Sequence, residues 1–319
     1  MSSSSAPVDL TVASTGKGAI ELAEAGSATK RTKRRLTSRG ATIASLIIAI
    51  LWTIPTFGLF ITSLRPQNEV VRTGWWNVFT TWDLTLENYR TVLANDDLIA
   101  SLVNSIAISL PATIFPLVIA AMAAYAFAWM DFKGKNLLFV GVFTLQIVPI
   151  QMTLVPLLSL FSRGLYINGY AVFEGFRGAG EYTQVWIAHS IFALPLAIFL
   201  LHNFITEIPS EVIEAAKVDG AGHGQIFFRI VLPLTVPAIA SFAIFQFLWV
   251  WNDLLVALIF ASGQASPITR TLAELTGEFG QNAYLLPAGA FIAMLIPLIV
   301  FFSLQRFFVR GLLAGSTKG

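Results

Sequence analysis

Apolar residues recur along this chain in long runs rather than in the alternating or three-and-four spacing of half-buried elements. The runs fall at 41–63, 98–130, 137–161, 185–204, 234–260 and 287–309. Each reaches the roughly 20 residues that a helix needs to cross the hydrocarbon core of a bilayer, so the pattern predicts six membrane-spanning helices. Pro111, Pro116, Pro149, Pro156 and Pro195 lie inside these runs. Membrane helices tolerate such prolines where neighbouring helices or water satisfy the freed carbonyls.

Composition agrees with lipid as the main solvent. The chain has 319 residues, 55% hydrophobic and 12% charged, with a mean hydropathy of +0.72. That is more apolar surface than one soluble core hides. Six spans put both ends on one side. Of the 20 Lys and Arg, 14 fall in the N-terminal segment, the "DFKGKN" turn at 131–136, the 205–233 segment and the C-terminal end, against 6 in the alternate connections. The asymmetry predicts both termini in the cytoplasm and a multi-pass protein of the cell inner or plasma membrane.

Residues 1–39, rich in Ser, Ala, Thr and Gly and then basic, read as a disordered cytoplasmic tail. The apolar run behind them is too long for a signal-peptide core of about 7–15 residues. Residues 40–310 then form the transmembrane domain, and 311–319 a cytoplasmic C-terminal tail. A net charge of +2 gives no footing for nucleic acid, and the absence of Cys removes disulfides and thiolate metal sites. In the connection after the first span, "TGWWNVFTTWDLTLENYR" mixes aromatic with polar residues. Trp75, Trp76 and Trp82 read as interfacial anchors there, with docking of an external partner as the other reading.

One cytoplasmic segment breaks the apolar pattern. "PSEVIEAAKVDGAGHGQIFFRIVLP", 209–233, carries acids, a Lys, a His and three glycines before the next span. Ser210 as N-cap and Glu211 in the first turn predict a short helix over 211–217. Ala215 and Ala216 give it a surface that another protein can approach closely. Asp219-Gly220 is a turn signal. Ile226, Phe227, Ile230 and Val231 then anchor a second segment on the membrane domain, and Pro233 is expected to stop or bend it. The product is a helix-turn-helix elbow.

Within it, "EAAKVDGAGHGQIFFRIVLP", 214–233, resembles the EAA motif of binding-protein-dependent ABC importer permeases, with Glu-Ala-Ala, Gly220, Ile230, Leu232 and Pro233 at the family positions. "SFAIFQFLWVWNDLLVAL", 241–258, and "QRFFVRGLLAGSTKG", 305–319, resemble the sugar-importer branch, in particular the shorter permease of maltose and α-glucoside systems. The resemblance implies an all-α type I permease fold with a coupling helix. It implies that Glu214, Ala215, Ala216, Asp219, Gly220, Ile230 and Pro233 couple the chain to an ATPase. Gly311, Gly315 and Gly319 would reach the ATPase interface, and residues 261–286 would meet an extracytoplasmic sugar-binding protein. The implied partners are a second permease and two ATP-binding subunits, which would hold the ATP and Mg. The long N-terminal segment is not part of the family pattern.

The chemistry of the chain itself fits a transport subunit and not an enzyme. A Gly-rich phosphate loop ending in Gly-Lys-Ser/Thr is missing, and His189, His202 and His223 are scattered rather than clustered for a metal. Polar groups at membrane depth are costly and therefore informative. Asn104, Gln146, Gln151, His189, Gln246, Asn252 and Asp253 are of this kind. Counted from Leu234, Asn252 lies about 27 Å along a helix, towards the outer half. Sugars are held by aromatic surfaces with amide and carboxylate partners, so Trp249, Asn252 and Asp253, with Gln146 or Gln151, form the candidate path. Hydrogen bonding between helices is the competing role for each. An importer of another sugar or polyol is the alternative substrate reading. An ion-coupled secondary transporter would concentrate ionisable residues in the spans, where Asp253 is nearly alone.

Overall fold

In the computed structural model, residues 39–176, 180–261, 264–277 and 280–316 are described, with side chains up to Phe307. The segment 1–38 and Gly319 lie outside them. Among the described residues five helices are long and apolar enough to cross a membrane, and a sharply bent helix pair makes a sixth when taken as one span. The first, α1 (Arg39–Ser63), carries Pro55 and a Thr53 hydroxyl that donates to the Ala49 carbonyl at 2.7 Å. Up to Ile61 it forms a unit of its own, and the chain from Thr62 forms a second.

The connection at 64–95, where the sequence mixes aromatic with polar residues, is built of short helical turns at Gln67–Arg72, Trp75–Asn77, Val78–Thr81 and Glu87–Leu93. Their centre is the buried Arg65. Its guanidinium donates to the Glu69 carbonyl at 3.1 Å, to the Thr73 carbonyl at 3.2 Å and to the Thr73 hydroxyl. The Asn88 amide closes the knot by donating to the carbonyls of Ser63 and Arg65 at 3.0 and 2.8 Å. A buried guanidinium is tolerated here because carbonyls meet its donors.

The Asn95 side chain accepts from the Leu98 amide at 3.1 Å and starts α2 (Asp96–Trp129), with Asp96 and Asp97 in the first turn. The third apolar run does not form one straight span. It splits into α3 (Lys135–Thr144), a 3₁₀ turn, and α4 (Ile150–Arg163), bent by 106°. Pro149 lacks an N–H and forces Val148 into an extended conformation (φ −72°, ψ 120°), which ends the helix.

A small hairpin follows α4 within the otherwise helical fold. Strands β1 (Leu165–Ile167) and β2 (Tyr170–Phe173) pair antiparallel through a two-residue turn. Asn168 and Gly169 take φ of 51° and 82°, the type I′ geometry that Asn-Gly favours, and this signal stands in the sequence.

The remaining spans are α5 (Thr183–Thr206) and a helix continuous from His223 to Trp251, whose regular α part is α7 (Leu232–Trp251), preceded by the short α6 (Ser210–Val218). After a break come α8 (Leu255–Phe260), α9 (Ile268–Leu275) and α10 (Leu286–Ser316). The fifth span therefore ends at Trp251, not at 260. The last helix runs on through Gly311 and Gly315, where a tail from 311 is expected from the sequence. Small residues hold α2 and α5 together: Ala112, Ala120 and Ala124 on one, Ala188 and Ala197 on the other, all fully buried. Such residues let backbones approach closely where lipid offers no hydrophobic drive. Large apolar side chains such as Val103, Phe245, Leu295 and Phe302 stay exposed, as a lipid or subunit interface requires.

Gly164 joins α4 to the hairpin at φ 82°, ψ −171°, a region open only to glycine, and a Cβ there would strike the Phe173 carbonyl oxygen. Gly164→Ala is expected to destabilise the purified chain by about 2 kcal/mol. A thermal melt in detergent reads this, and an unchanged midpoint would show that the hairpin does not pack as described.

Candidate functional site

The elbow is built on a nine-residue helix with two unlike faces. In α6, Ile213 (1% exposed) and Ala216 (9%) face inward and join a cluster with Leu201, Ile205, Ile226 and Val231. Glu211, Glu214, Ala215 and Val218 are exposed. The two alanines thus do different things: Ala215 is surface, and Ala216 is part of the anchor. No side chain caps the start, because Pro209 rather than Ser210 occupies the cap position.

The end of α6 is closed by a Schellman motif. The Ala221 amide donates to the Ala216 carbonyl at 2.9 Å and the Gly220 amide to that of Lys217 at 3.0 Å, with Gly220 at φ 81°. Gln225 Oε1 then accepts from the Gly222 amide at 3.1 Å to start the next helix. His223 Nδ1 and the Tyr125 hydroxyl of α2 share a hydrogen bond of 2.9 Å. Asp219, Gly220, Gln225, Arg229 and Ile230 line a cleft of about 310 Å³ in the crook of the elbow. Pro233 neither stops nor breaks the helix. A π turn over Phe227–Val231 comes just before it and widens the backbone where the ring would clash with the Arg229 carbonyl.

The polar groups at membrane depth separate into two sets. Gln146 and Trp249 line one cleft of about 490 Å³ at the α3–α4 bend, together with Phe192 and Pro156. Gln151 and Asn252 are exposed and are not among its lining residues. The Asn252 side chain instead donates to the Leu248 carbonyl at 2.7 Å. The Asp253 carboxylate accepts from the Ala257 amide at 3.0 Å, and its carbonyl accepts from the Thr269 hydroxyl at 2.8 Å. Both residues serve the break between α7 and α8. Asn104 ties α2 to the following loop: it donates to the carbonyls of Gln264 and Ser266 at 2.7 and 3.1 Å and accepts from the Tyr182 hydroxyl at 2.7 Å. His189 and Gln246, already among the polar groups at depth, are buried next to Trp249, and the geometry adds Tyr125 beneath the elbow. Polarity within an apolar run was the signal for the first two; nothing local marked Tyr125.

Residues 116–313 match the family described as binding-protein-dependent transport system inner membrane component. The chain belongs to this family. The permease is 51% identical over 285 residues to the osmoprotective compounds uptake permease protein GgtD of Synechocystis sp., covering 86% of this chain and 91% of that one. It is 50% identical over 237 residues to the alpha-glucoside transport system permease protein AglG of Rhizobium meliloti, covering 74% of this chain and 60% of that relative. The fold is shared with a solved bacterial alginate ABC transporter in complex with alginate pentasaccharide-bound periplasmic protein, at TM-score 0.62 and 16% identity over 87% of this chain and 96% of that one. The chain is thus an ABC importer permease of type I fold, a membrane-spanning transport component and not an enzyme.

The two alanines of the permease's elbow give a paired test. Ala216→Leu overpacks the anchor and should cost about 1–3 kcal/mol, whereas Ala215→Leu on the exposed face should stay within about 0.5 kcal/mol of the parent. Melting of the two purified variants decides it, and equal losses would mean that α6 is not oriented as described.

Proposed function

We propose that this permease imports a carbohydrate of the α-glucoside class and that residues 209–233 receive the motion of partner ATPases. The observation that carries the coupling reading is the division of α6 into a buried anchor, Ile213 and Ala216, and an outward row, Glu211, Glu214, Ala215 and Val218. A helix fixed on one side and bare on the other, with small Ala215 in the middle, suits a cleft on another protein. Asp219, Gly220 and Ile230 shape the crook, and Pro233 joins it to the span that it moves. The Lys and Arg asymmetry supports a cytoplasmic elbow with both termini on that side.

The assembly we infer contains a second, similar permease and two ATP-binding subunits that hold ATP and Mg. An extracytoplasmic sugar-binding protein docks near residues 261–286, and the C-terminal glycines, Gly311, Gly315 and Gly319, approach the ATPase pair. On the cargo side, Gln146 and Trp249 contribute an amide and an aromatic surface to the path, while Asp253 and Asn252 hold its outer break. The name of the AglG relative and this mixture of groups support the α-glucoside class. A second reading, uptake of an osmoprotective compound, is favoured by the 51% identity to GgtD.

Glu214→Lys or Gly220→Pro should abolish uptake and binding-protein-stimulated ATP turnover while the chain stays inserted in the membrane. Wild-type uptake in both variants would sink the coupling assignment. A sugar and polyol panel scored by stimulated ATP turnover of the intact complex separates the two substrate readings.

A further inference from the structure

Beside Trp249 the fold buries a polar atom without giving it a partner. His189 on α5 is 3% exposed, and its Nε2 makes no hydrogen bond among the described residues. The nearest carboxylate oxygen, Asp253 Oδ2, stands at 3.7 Å, beyond hydrogen-bond range, and the same oxygen already accepts from the Ala257 amide. Unmet buried polar groups are rare in native structures, and each calls for an explanation.

The explanation lies in the space around it. His189, Gln246, Trp249, Phe192 and Ile150 line a chamber of about 20 Å³, a volume that admits one hydroxyl or one water. Gln246, 5% exposed, spends its amide nitrogen on the Ala112 carbonyl at a long 3.3 Å; its amide oxygen is the group able to accept from a hydroxyl. Trp249, Phe192 and Ile150 also line the neighbouring cleft of about 490 Å³. A small polar alcove therefore adjoins a ligand-sized, largely apolar cleft, and a half-exposed indole, Trp249, belongs to both walls. Binding sites for small molecules have this make-up, an apolar wall with few placed polar groups. A metal is a poor occupant, because no group of three ligating side chains occurs among the described residues.

We propose that His189 and Gln246 form a hydroxyl-binding subsite for the transported sugar, so that this subunit itself contacts cargo, with Trp249 as the adjoining aromatic wall. The inference rests on the carbohydrate reading above. One hydroxyl enters the alcove and meets the imidazole and the amide, while the ring lies in the cleft.

The test uses the intact complex in proteoliposomes with its binding protein, ATP, and radiolabelled maltose, trehalose and sucrose as probes. Sugar imported per ATP hydrolysed is the readout, because a purely structural defect lowers both together. His189→Leu and Trp249→Leu should each lower that ratio about tenfold, the effect of one lost hydrogen bond or stacking contact, with stimulated ATP turnover within about twofold of wild type. His189→Gln should restore most of it. An unchanged ratio in both leucine variants would overturn the proposal and leave His189 as a packing residue beside a water. Parallel loss of import and ATP turnover, unrescued by His189→Gln, would overturn it equally. If His189→Leu fails to fold, Trp249→Leu decides alone, since its side chain is half-exposed. A wild-type complex that turns over ATP with its binding protein but imports none of the three sugars would remove the carbohydrate reading itself, and that outcome is seen before any variant is made.

Discussion

Every peptide group at membrane depth has to find its hydrogen bond inside the protein, and the shape of this permease follows from how its helix breaks meet that demand. Two breaks and one π turn interrupt otherwise regular spans among the described residues. At Val148-Pro149 the helix ends and restarts at 106°. Before Pro233 a π turn absorbs the misfit without ending the helix. After Trp251 the chain turns aside, and side chains take over the pairing: Asn252 covers the Leu248 carbonyl and Asp253 the Ala257 amide. Each break costs regular hydrogen bonds, and the breaks at Pro149 and Trp251 flank the cleft that holds Gln146 and Trp249.

On the coupling role proposed above, the elbow meets the opposite requirement, which is to be stiff enough to transmit a displacement from outside. Apolar anchoring by Ile213 and Ala216, the Schellman closure at Gly220 and the Tyr125–His223 hydrogen bond fix it from three directions. The anchor reaches both α2 and α5, whose mutual contact is lined by buried alanines. A push on the exposed face of α6 is therefore delivered to packed helices and not dissipated in a loop. Packed interfaces of this kind shift between discrete arrangements more readily than they deform.

Much of this arrangement was legible in the sequence, and the misses have physical causes. The spans follow from apolar length alone, and the elbow from Glu211, Asp219-Gly220 and the apolar residues at 226–231. The bend at Pro149 was hidden because prolines inside membrane helices range from harmless, as Pro195 is in α5, to helix-ending, and the difference lies in the partners available to the freed groups. The hairpin at 165–173 carries a strong local signal in its Asn-Gly turn, one that the length of the apolar runs does not register. Ala215 and Ala216 looked alike because composition does not give the phase of a short helix. Asn252 and Asp253 read as cargo ligands for the same reason that they are useful to the fold: a polar side chain at depth serves a sugar or a severed backbone, and only geometry separates the two.

One helix connects the two ends of the problem. From His223 at the elbow to Trp251 at the break before α8 it is continuous over 29 residues, about 43 Å at 1.5 Å per residue. Its base carries Ile226 and Val231, which pack in the anchor of the elbow, and its far end carries Gln246 and Trp249, which wall the cleft. A rigid tilt of about 5° at the base moves the far end by about 4 Å, the scale on which an alcove for one hydroxyl is made or lost. The π turn, Phe227–Val231, lies within the anchor itself, where local widening accommodates Pro233 without ending the helix. On the proposed roles of α6 and of the cleft, energy delivered to the elbow would need no chain of side-chain relays to reach the cleft, because the same helix ends in both places.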